Sequence, residues 1–267
     1  MAQLLRAVAE IRRDLPRLGA RKIHYILQTD VRYRACRVGR DALFQILRQA
    51  GLLVAPHKKR TIRTTDSSAW LRQHPDLVNR RAALRPNDIW VTDITYIPVG
   101  QGFAYLFLVT DAFSRKIIGW DLAQSMTFIA GTRALRLALN ERGNDTQPLI
   151  HHSDRGSQYC AKEYVALLGD NHIQVSMTQD GSPYDNAQAE RINGILKDEW
   201  LNLFAFQTYE EAKKEIAKDI DAYNQQRPHL SLHYLTPNQV YLAPEQLKIR
   251  LDRKQALGLS RSTPKSK

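Results

Sequence analysis

Three carboxylates and a lysine are the residues of this chain whose types and settings could do chemistry. Asp93 falls in Ile89–Val99, a stretch rich in β-branched and aromatic residues, and strand alternation places it on the face of Ile89, Val91 and Ile97. A charge among apolar neighbours must be neutralised, paired or bound to a metal. A salt-bridged or turn-capping aspartate would also satisfy that rule. Asp154 closes the apolar run 149–153 and opens Arg155-Gly156-Ser157, a strand exit of the kind that carries sites in α/β sheets. An aspartate that starts a turn through its own side chain fits the same position. Glu190 belongs to a helix opened by Ser182-Pro183-Tyr184-Asp185, a capping-box pattern with proline at the first helical position. Seven residues on, Lys197 returns to nearly the same face, because seven steps of about 100° fall only about 20° short of two turns. Gly194 costs about 1 kcal/mol relative to alanine in mid-helix, which points to a backbone or ligand approaching closely there. Scattered charges on a surface helix are the alternative account of these residues.

The elements that must hold them can be read from periodicity. Residues 104–110 continue the β-rich pattern, and 116–122 give a third strand after the Phe113-Ser114-Arg115 turn, so an antiparallel meander is expected. A helix over 128–141, a strand at 149–153, a helix at 162–168 and a strand at 173–177 follow. Strands first and alternating helices afterwards imply a mixed α/β sheet. Upstream, Leu4, Leu5, Val8 and Ile11 share one helical face, and Ile23, Ile26 and Leu27 begin another. Leu43, Ile46, Leu47 and Ala50 form a third stripe that Gly51 stops, leaving Arg40, Gln45 and Arg48 on other faces. That arrangement resembles a helix-turn-helix reader, whose last helix lies in the major groove. A small bundle with a solvated basic face is the plainer reading. Residues 64–86, with Pro75 and Pro86, read as a linker holding one short helix.

Composition fits this division. Hydrophobic residues at 43% and charged residues at 25% describe a folded protein. No apolar run approaches the roughly 20 residues that span a bilayer, and a cytoplasmic location is expected. Two isolated cysteines, Cys36 and Cys160, build neither a disulfide framework nor a zinc site. The net charge of +12 is uneven: residues 1–63 hold 15 Lys/Arg against 4 Asp/Glu, and residues 248–267 hold 7 against 1. Basic ends suit a polyanion such as DNA. The remaining middle is acidic, which suits cations.

The motifs TDITYI around Asp93, HSDRGSQY around Asp154 and PYDNAQAERINGILKDEW around Glu190, with 35 residues between Asp154 and Glu190, resemble the DDE motif of retroviral-integrase-like transposases. The match is most similar to the insertion-sequence-three family, second-frame product. Its tail resembles YNQQRPHLSLHYLTP, here Tyr223 to Pro237, and its helix-turn-helix resembles residues 20–53. The resemblance implies an α/β, ribonuclease-H-like mixed five-stranded sheet with flanking helices, preceded by a small helical helix-turn-helix-like domain. The expected divisions are 1–62 for DNA binding, 63–86 for the linker, 87–205 for the catalytic core, 206–247 for a helical extension and 248–267 for a basic tail without fixed structure.

The same resemblance implies that Asp93, Asp154 and Glu190 hold two Mg²⁺ ions, with Mn²⁺ able to substitute. Clustered carboxylates repel one another, and two hard divalent cations remove that cost. Paired metals activate an attacking water or 3′-hydroxyl and stabilise the leaving oxygen. Lys197 would hold a DNA phosphate, with Arg191, Arg40, Gln45 and Arg48 as further DNA contacts. The implied partners are double-stranded DNA, both element ends and target, further copies of the chain on that DNA, and an upstream-frame product, fused or associated. A metal-dependent nuclease without strand transfer and a non-catalytic DNA-binding inhibitor are the alternatives. Where many relatives have Ser-Phe after the catalytic glutamate, this chain has Arg191-Ile192. His229 and His233 read as satisfied polar histidines, and Asp111 as a turn or supporting residue.

Overall fold

The computed structural model describes residues 1–55, 74–79, 81–178 and 187–256. β1 (Ile89–Val99) turns through Gly100, at φ +57°, into β2 (Gly102–Asp111), and β3 (Ile117–Ala123) completes the antiparallel meander. Asp111 makes the second turn. Its Oδ1 accepts from the Ser114 amide at 2.7 Å and from Ser114 Oγ at 2.5 Å, and its Oδ2 accepts from the Asn87 amide at 2.8 Å. Those bonds consume Asp111 in turn-making, as the sequence implied. β4 (Ile150–Ser153) then lies parallel to β1, and β5 (Gln174–Met177) parallel to β4, giving the order β3-β2-β1-β4-β5 with β1 central.

Numbering the helices from the amino terminus, α4 (Phe128–Arg142) and α5 (Lys162–Asp170) cover one face, burying Trp90, Phe107 and Val109 against Ala130, Ala134, Leu135 and Leu168. The small residues of α4 let it press on β3. A Cβ on Gly119 would stand 2.1 Å from the Ala134 carbonyl oxygen, so only glycine fits there. The other face receives α6 (Ala187–Glu199) and α7 (Tyr209–Gln225), which bury Ile97, Leu106 and Leu108 against Ile192, Leu196, Trp200, Ile216 and Ile220. Because side chains alternate along β1, Ile89 and Val91 meet Ala189 on this side, and Trp90 points to the other. The odd-numbered face of β1, which includes Asp93, therefore looks at α6.

The amino-terminal unit consists of α1 (Ala2–Asp14), α2 (Ala20–Thr29), a 3₁₀ turn (Val31–Cys36) and α3 (Arg40–Gln49). Gly51, at φ +68°, ends the last of these in the left-handed conformation expected of a stop. The 3₁₀ turn was not foreseen. Asp30 opens it by accepting from the Arg32 amide, and Tyr33 and Cys36 bury into the core, so residues 30–39 separate α2 from α3 where a helix-turn-helix has about 3–4 residues. The unit is helical but more open-jointed than the expected motif.

Its core is continuous with that of the sheet's α6–α7 face. Trp200 Nε1 donates to the Asp14 carbonyl at 2.9 Å, and Tyr25 stacks on Tyr234 at 4.7 Å. Beyond α7, Thr236 and Gln239 form a capping box for α8 (Pro237–Leu242), and α9 (Glu245–Ala256) follows. The segment 248–267, expected to lack fixed structure, thus begins inside a helix; residues 257–267 lie outside the described ones. Residues 63–73 and 80 of the expected linker lie outside them too, as do 56–62 of the expected DNA-binding division. The linker's described remainder carries no helix and is tied to the sheet, with the Met177 amide donating to the Pro75 carbonyl at 3.2 Å and the Leu77 amide to Ser176 Oγ at 2.9 Å. Among the described residues no helix is long and apolar enough to cross a membrane.

Candidate active site

Asp93 sits in the central strand, opposite Leu108 of β2. On its other side β4 runs parallel, with Val91 level with His152. Continuing that register by two residues sets Asp93 beside Asp154, the residue that follows β4. Oδ1 of Asp93 accepts from the Ile94 amide at 2.9 Å, and Oδ2 from Asn193 Nδ2 at 2.7 Å. Asp154 Oδ1 accepts from the Gly156 amide at 3.0 Å, so the turn reading of this residue holds together with its place beside Asp93. Glycine is required in that turn: a Cβ on Gly156 would lie 2.7 Å from Gln158 Oε1 and 3.0 Å from Asp154 Oδ1.

The electrostatics report how close these groups are. Burial first, then the charge of Asp154 and a smaller push from Glu190, together raise the Asp93 carboxyl to about 7. The hydrogen bonds from Asn193 and Ile94 act in the opposite direction. Asp154 is likewise raised by burial, against its bond from Gly156. Each Asp93 oxygen accepts one hydrogen bond, which leaves lone pairs free for a cation, and an all-oxygen donor set suits a hard divalent ion.

Glu190 stands exposed in the first described turn of α6. Among the described residues, no three His, Cys, Asp or Glu side chains are grouped closely enough to hold a metal ion as they stand. The aspartates are therefore paired by the sheet, while Glu190 is set on a helix end next to residues 179–186, which lie outside the described ones. The expected helix start at 182–185 lies there as well. Lys197, half-buried on the same helix, has its pKa lowered by burial and raised by the charge of Asp93, so the two side chains feel each other's charge. Gly194 does not have the close neighbour its position suggested. Nothing lies within 4 Å of a Cβ built there. A tight helix–sheet approach is found at Gly119 instead, because α4 lies against the sheet through small residues and this part of α6 does not.

Two residues of the site escaped the sequence reading. Asn193 orients Asp93; its signal was its position three residues after Glu190, on the face that returns at Lys197. Tyr159 is fully buried, and both burial and the charges of Asp154 and Asp93 hold its hydroxyl well above the usual range. It lies inside the HSDRGSQY motif, which was its only mark. Of the remaining expected DNA contacts, Arg191 is exposed beside Glu190, whereas Arg40, Gln45 and Arg48 are exposed on α3, in a different part of the fold. His229 meets Arg227 Nη1 at 2.8 Å and packs edge-on against Tyr223, a structural setting.

The sheet order, the flanking helices and the two carboxylates, one in β1 and one just past the parallel β4, define a ribonuclease-H-like integrase core. The family described as integrase core domain matches residues 83–183, and a second form of it matches 171–237. The chain is 36% identical over 213 residues to the uncharacterized 31 kDa protein of insertion element IS600 from Shigella sonnei, covering 79% of this chain and 78% of that one. It is 34% identical over 211 residues to the transposase for insertion sequence element IS629 from the same species, covering 78% and 68%. It is 36% identical over 155 residues to the transposase InsF for insertion sequence IS3A of Escherichia coli K12, covering 58% and 54%. Among solved structures, the simian T-cell lymphotropic virus intasome, in complex with the PP2A regulatory subunit B56 gamma, superposes with a TM-score of 0.53 at 19% identity, covering 85% of this chain and 75% of that one. The chain belongs to the integrase-core transposases of insertion sequences, of the IS3 type, and DNA transposition is that family's activity.

Proposed function

We propose that this chain is a DNA transposase that recognises insertion-sequence ends through its amino-terminal helices and cuts and joins phosphodiester bonds at Asp93, Asp154 and Glu190. The observation that carries this reading is Asp93 in the central strand with Asp154 directly after the parallel strand beside it, each carboxyl raised by burial and Asp93 also by the charge of Asp154. Such a pair is costly without a cation, and sites of this kind concentrate function. Asp93 and Asp154 would hold two Mg²⁺ ions, or Mn²⁺ in their place, and Glu190 would complete the set by swinging in on the first turn of α6. When bound, paired ions activate a water or 3′-hydroxyl and stabilise the leaving oxygen. Asn193 fixes the direction of the Asp93 carboxylate, and Lys197 holds a DNA phosphate as a point charge. The exposed Arg40, Gln45 and Arg48 contact DNA from α3, with Arg191 beside the site. The working assembly contains several copies on DNA, with the product of an upstream frame fused to or associated with this chain.

The test is metal-dependent cleavage and joining of a duplex carrying the element's terminal repeats, comparing wild type with Glu190→Gln in Mg²⁺ and Mn²⁺. Joined products that vanish in the variant are expected. Free ends without joined products would make the chain a nuclease. Equal activity in both proteins would remove Glu190 from the site, and DNA binding without any turnover, in the chain and in its upstream fusion alike, would leave a binding protein.

A further inference from the structure

The outward face of α3 carries a residue that phosphate binding alone does not require. Phe44 is 42% exposed. Leu43 and Leu47 already fill the core side of the helix, with Ile46 packed against it, so Phe44 adds nothing to that core. It stands one turn after Arg40 and one turn before Arg48, beside Gln45, and all four side chains are exposed. The Arg48 guanidinium lies 5.2 Å from the Phe44 ring centroid, a cation–π contact that covers part of the ring and aims the arginine along the same face.

An apolar ring between two arginines, on a segment with 15 Lys/Arg against 4 Asp/Glu, is complementary to a polyanion that also offers an apolar group. A phosphate offers none. In the major groove the one apolar group a base pair presents is the C5-methyl of thymine, and phenylalanine is among the side chains that pack on it. We infer that Phe44 is a specificity-determining residue, its ring seated on a thymine methyl in the element end while Arg40 and Arg48 flank it at phosphates or base edges. This inference rests on the reading of α3 as the DNA-contacting helix. It adds sequence discrimination to a surface otherwise explained by charge, since phosphate contacts position a protein without reading sequence.

Fluorescence anisotropy of the full chain tests it with three duplexes: the element's terminal repeat, the same repeat with every thymine replaced by deoxyuridine, and a scrambled duplex. Wild type, Phe44→Ala and Phe44→Leu are compared. Deoxyuridine removes only the methyl, and one buried methyl is worth about 0.8 kcal/mol, or about fourfold in affinity. Wild type is expected to prefer the repeat over the scrambled duplex and to lose about fourfold per contacted thymine on deoxyuridine replacement. Phe44→Ala should bind the unmodified repeat at the level wild type shows for the deoxyuridine duplex, with no further loss on replacement. Phe44→Leu should retain part of the discrimination, and all three proteins should bind the scrambled duplex alike. Wild type that prefers the repeat but ignores deoxyuridine overturns the role of Phe44 while leaving α3 as a DNA contact, as does a Phe44→Ala protein that keeps the full deoxyuridine loss. Absence of any preference for the repeat in wild type overturns both readings.

Discussion

Asn193 donates through Nδ2 to Oδ2 of Asp93 across 2.7 Å, one turn along α6 from Glu190. This bond ties the helix that bears the glutamate to the strand that bears the aspartate. It also lowers the Asp93 carboxyl against the upward push of burial and of Asp154. Asn193→Ala removes that support, so Asp93 holds its proton to higher pH and loses its orientation. Groups that orient metal-binding side chains are typically worth about 10- to 100-fold in metal affinity or activity. Joining activity of the variant should fall by that order at pH 7, need more Mg²⁺, and recover partly toward pH 8.5. A pH–rate profile that superposes on wild type after scaling would show that Asn193 does not act through Asp93.

The carboxylate pair also sets a stability prediction. An unfolded aspartate titrates near 3.9, whereas Asp93 in the folded protein is pushed up to about 7. Between those values the folded state binds more protons than the unfolded state, so stability falls as pH rises through that window and does not fall further above it. Asp93→Asn removes the charge. The Oδ1 of Asn193, buried without a hydrogen-bond partner among the described residues, can turn to accept from the new amide. Metal-free Asp93→Asn protein should melt roughly 3–8 °C above wild type at pH 8, with the gap closing by pH 4. Adding Mg²⁺ should raise the wild-type Tm and barely move that of the variant. A variant that melts below wild type at pH 8 would contradict the repulsion argument.

The strands and helices of the core were legible because their periodicities are strong: β1 spans the residues its β-branched pattern marked, and the meander turn falls at Ser114 as read. Asp93 could be placed by alternation alone, since an odd position in β1 had to share a face with Ile89 and Val91. What alternation could not supply was the neighbour on that face. The bond from Asn193 links positions 100 residues apart, and a helix–strand contact of that separation leaves no local trace. Gly194 misled for the same reason, because its mid-helix cost says nothing about what lies opposite. The 3₁₀ turn at Val31–Cys36 was missed because its signal is one aspartate cap and two buried side chains, too short a stretch for a period to show. Glu190 was assigned from motif spacing, and its exposed place on α6 shows why spacing was needed: no pattern of burial marks it.

Glu199, the last residue of α6, holds together three parts of the chain. Arg227 grips it with bonds of 2.7 and 2.5 Å, and Lys22 of α2 approaches to 3.6 Å. Burial and the charge of Arg227 push the Lys22 amine down to about 8 even with Glu199 present. Glu199→Gln therefore leaves two cations facing each other with no anion between them. Removing one partner of a buried pair costs about 3–5 kcal/mol. Urea unfolding should show a loss of that order, and Lys22→Met added to Glu199→Gln should recover part of it. Because Trp200 donates to the Asp14 carbonyl beside this cluster, its fluorescence reports release of the amino-terminal unit. A Glu199→Gln protein within about 0.5 kcal/mol of wild type would mean that the cluster is solvated and contributes little.

Lys197 and Phe44 should fail in different ways when altered. Lys197 is a half-buried ammonium whose pKa burial lowers and Asp93 raises, a setting that suits a bound phosphate close to the carboxylates. A phosphate contact carries no sequence information, and each one contributes about 0.9 to the slope of log affinity against log salt. Lys197→Ala should therefore weaken binding to the terminal repeat and to the scrambled duplex by the same factor, and reduce the salt slope by about one. Phe44→Ala should leave the slope unchanged and lose affinity for the repeat alone, by the factor that deoxyuridine replacement costs wild type. An unaltered salt slope in Lys197→Ala would show that this lysine meets no phosphate, and would assign its position near Asp93 to balancing the charge of the carboxylate pair.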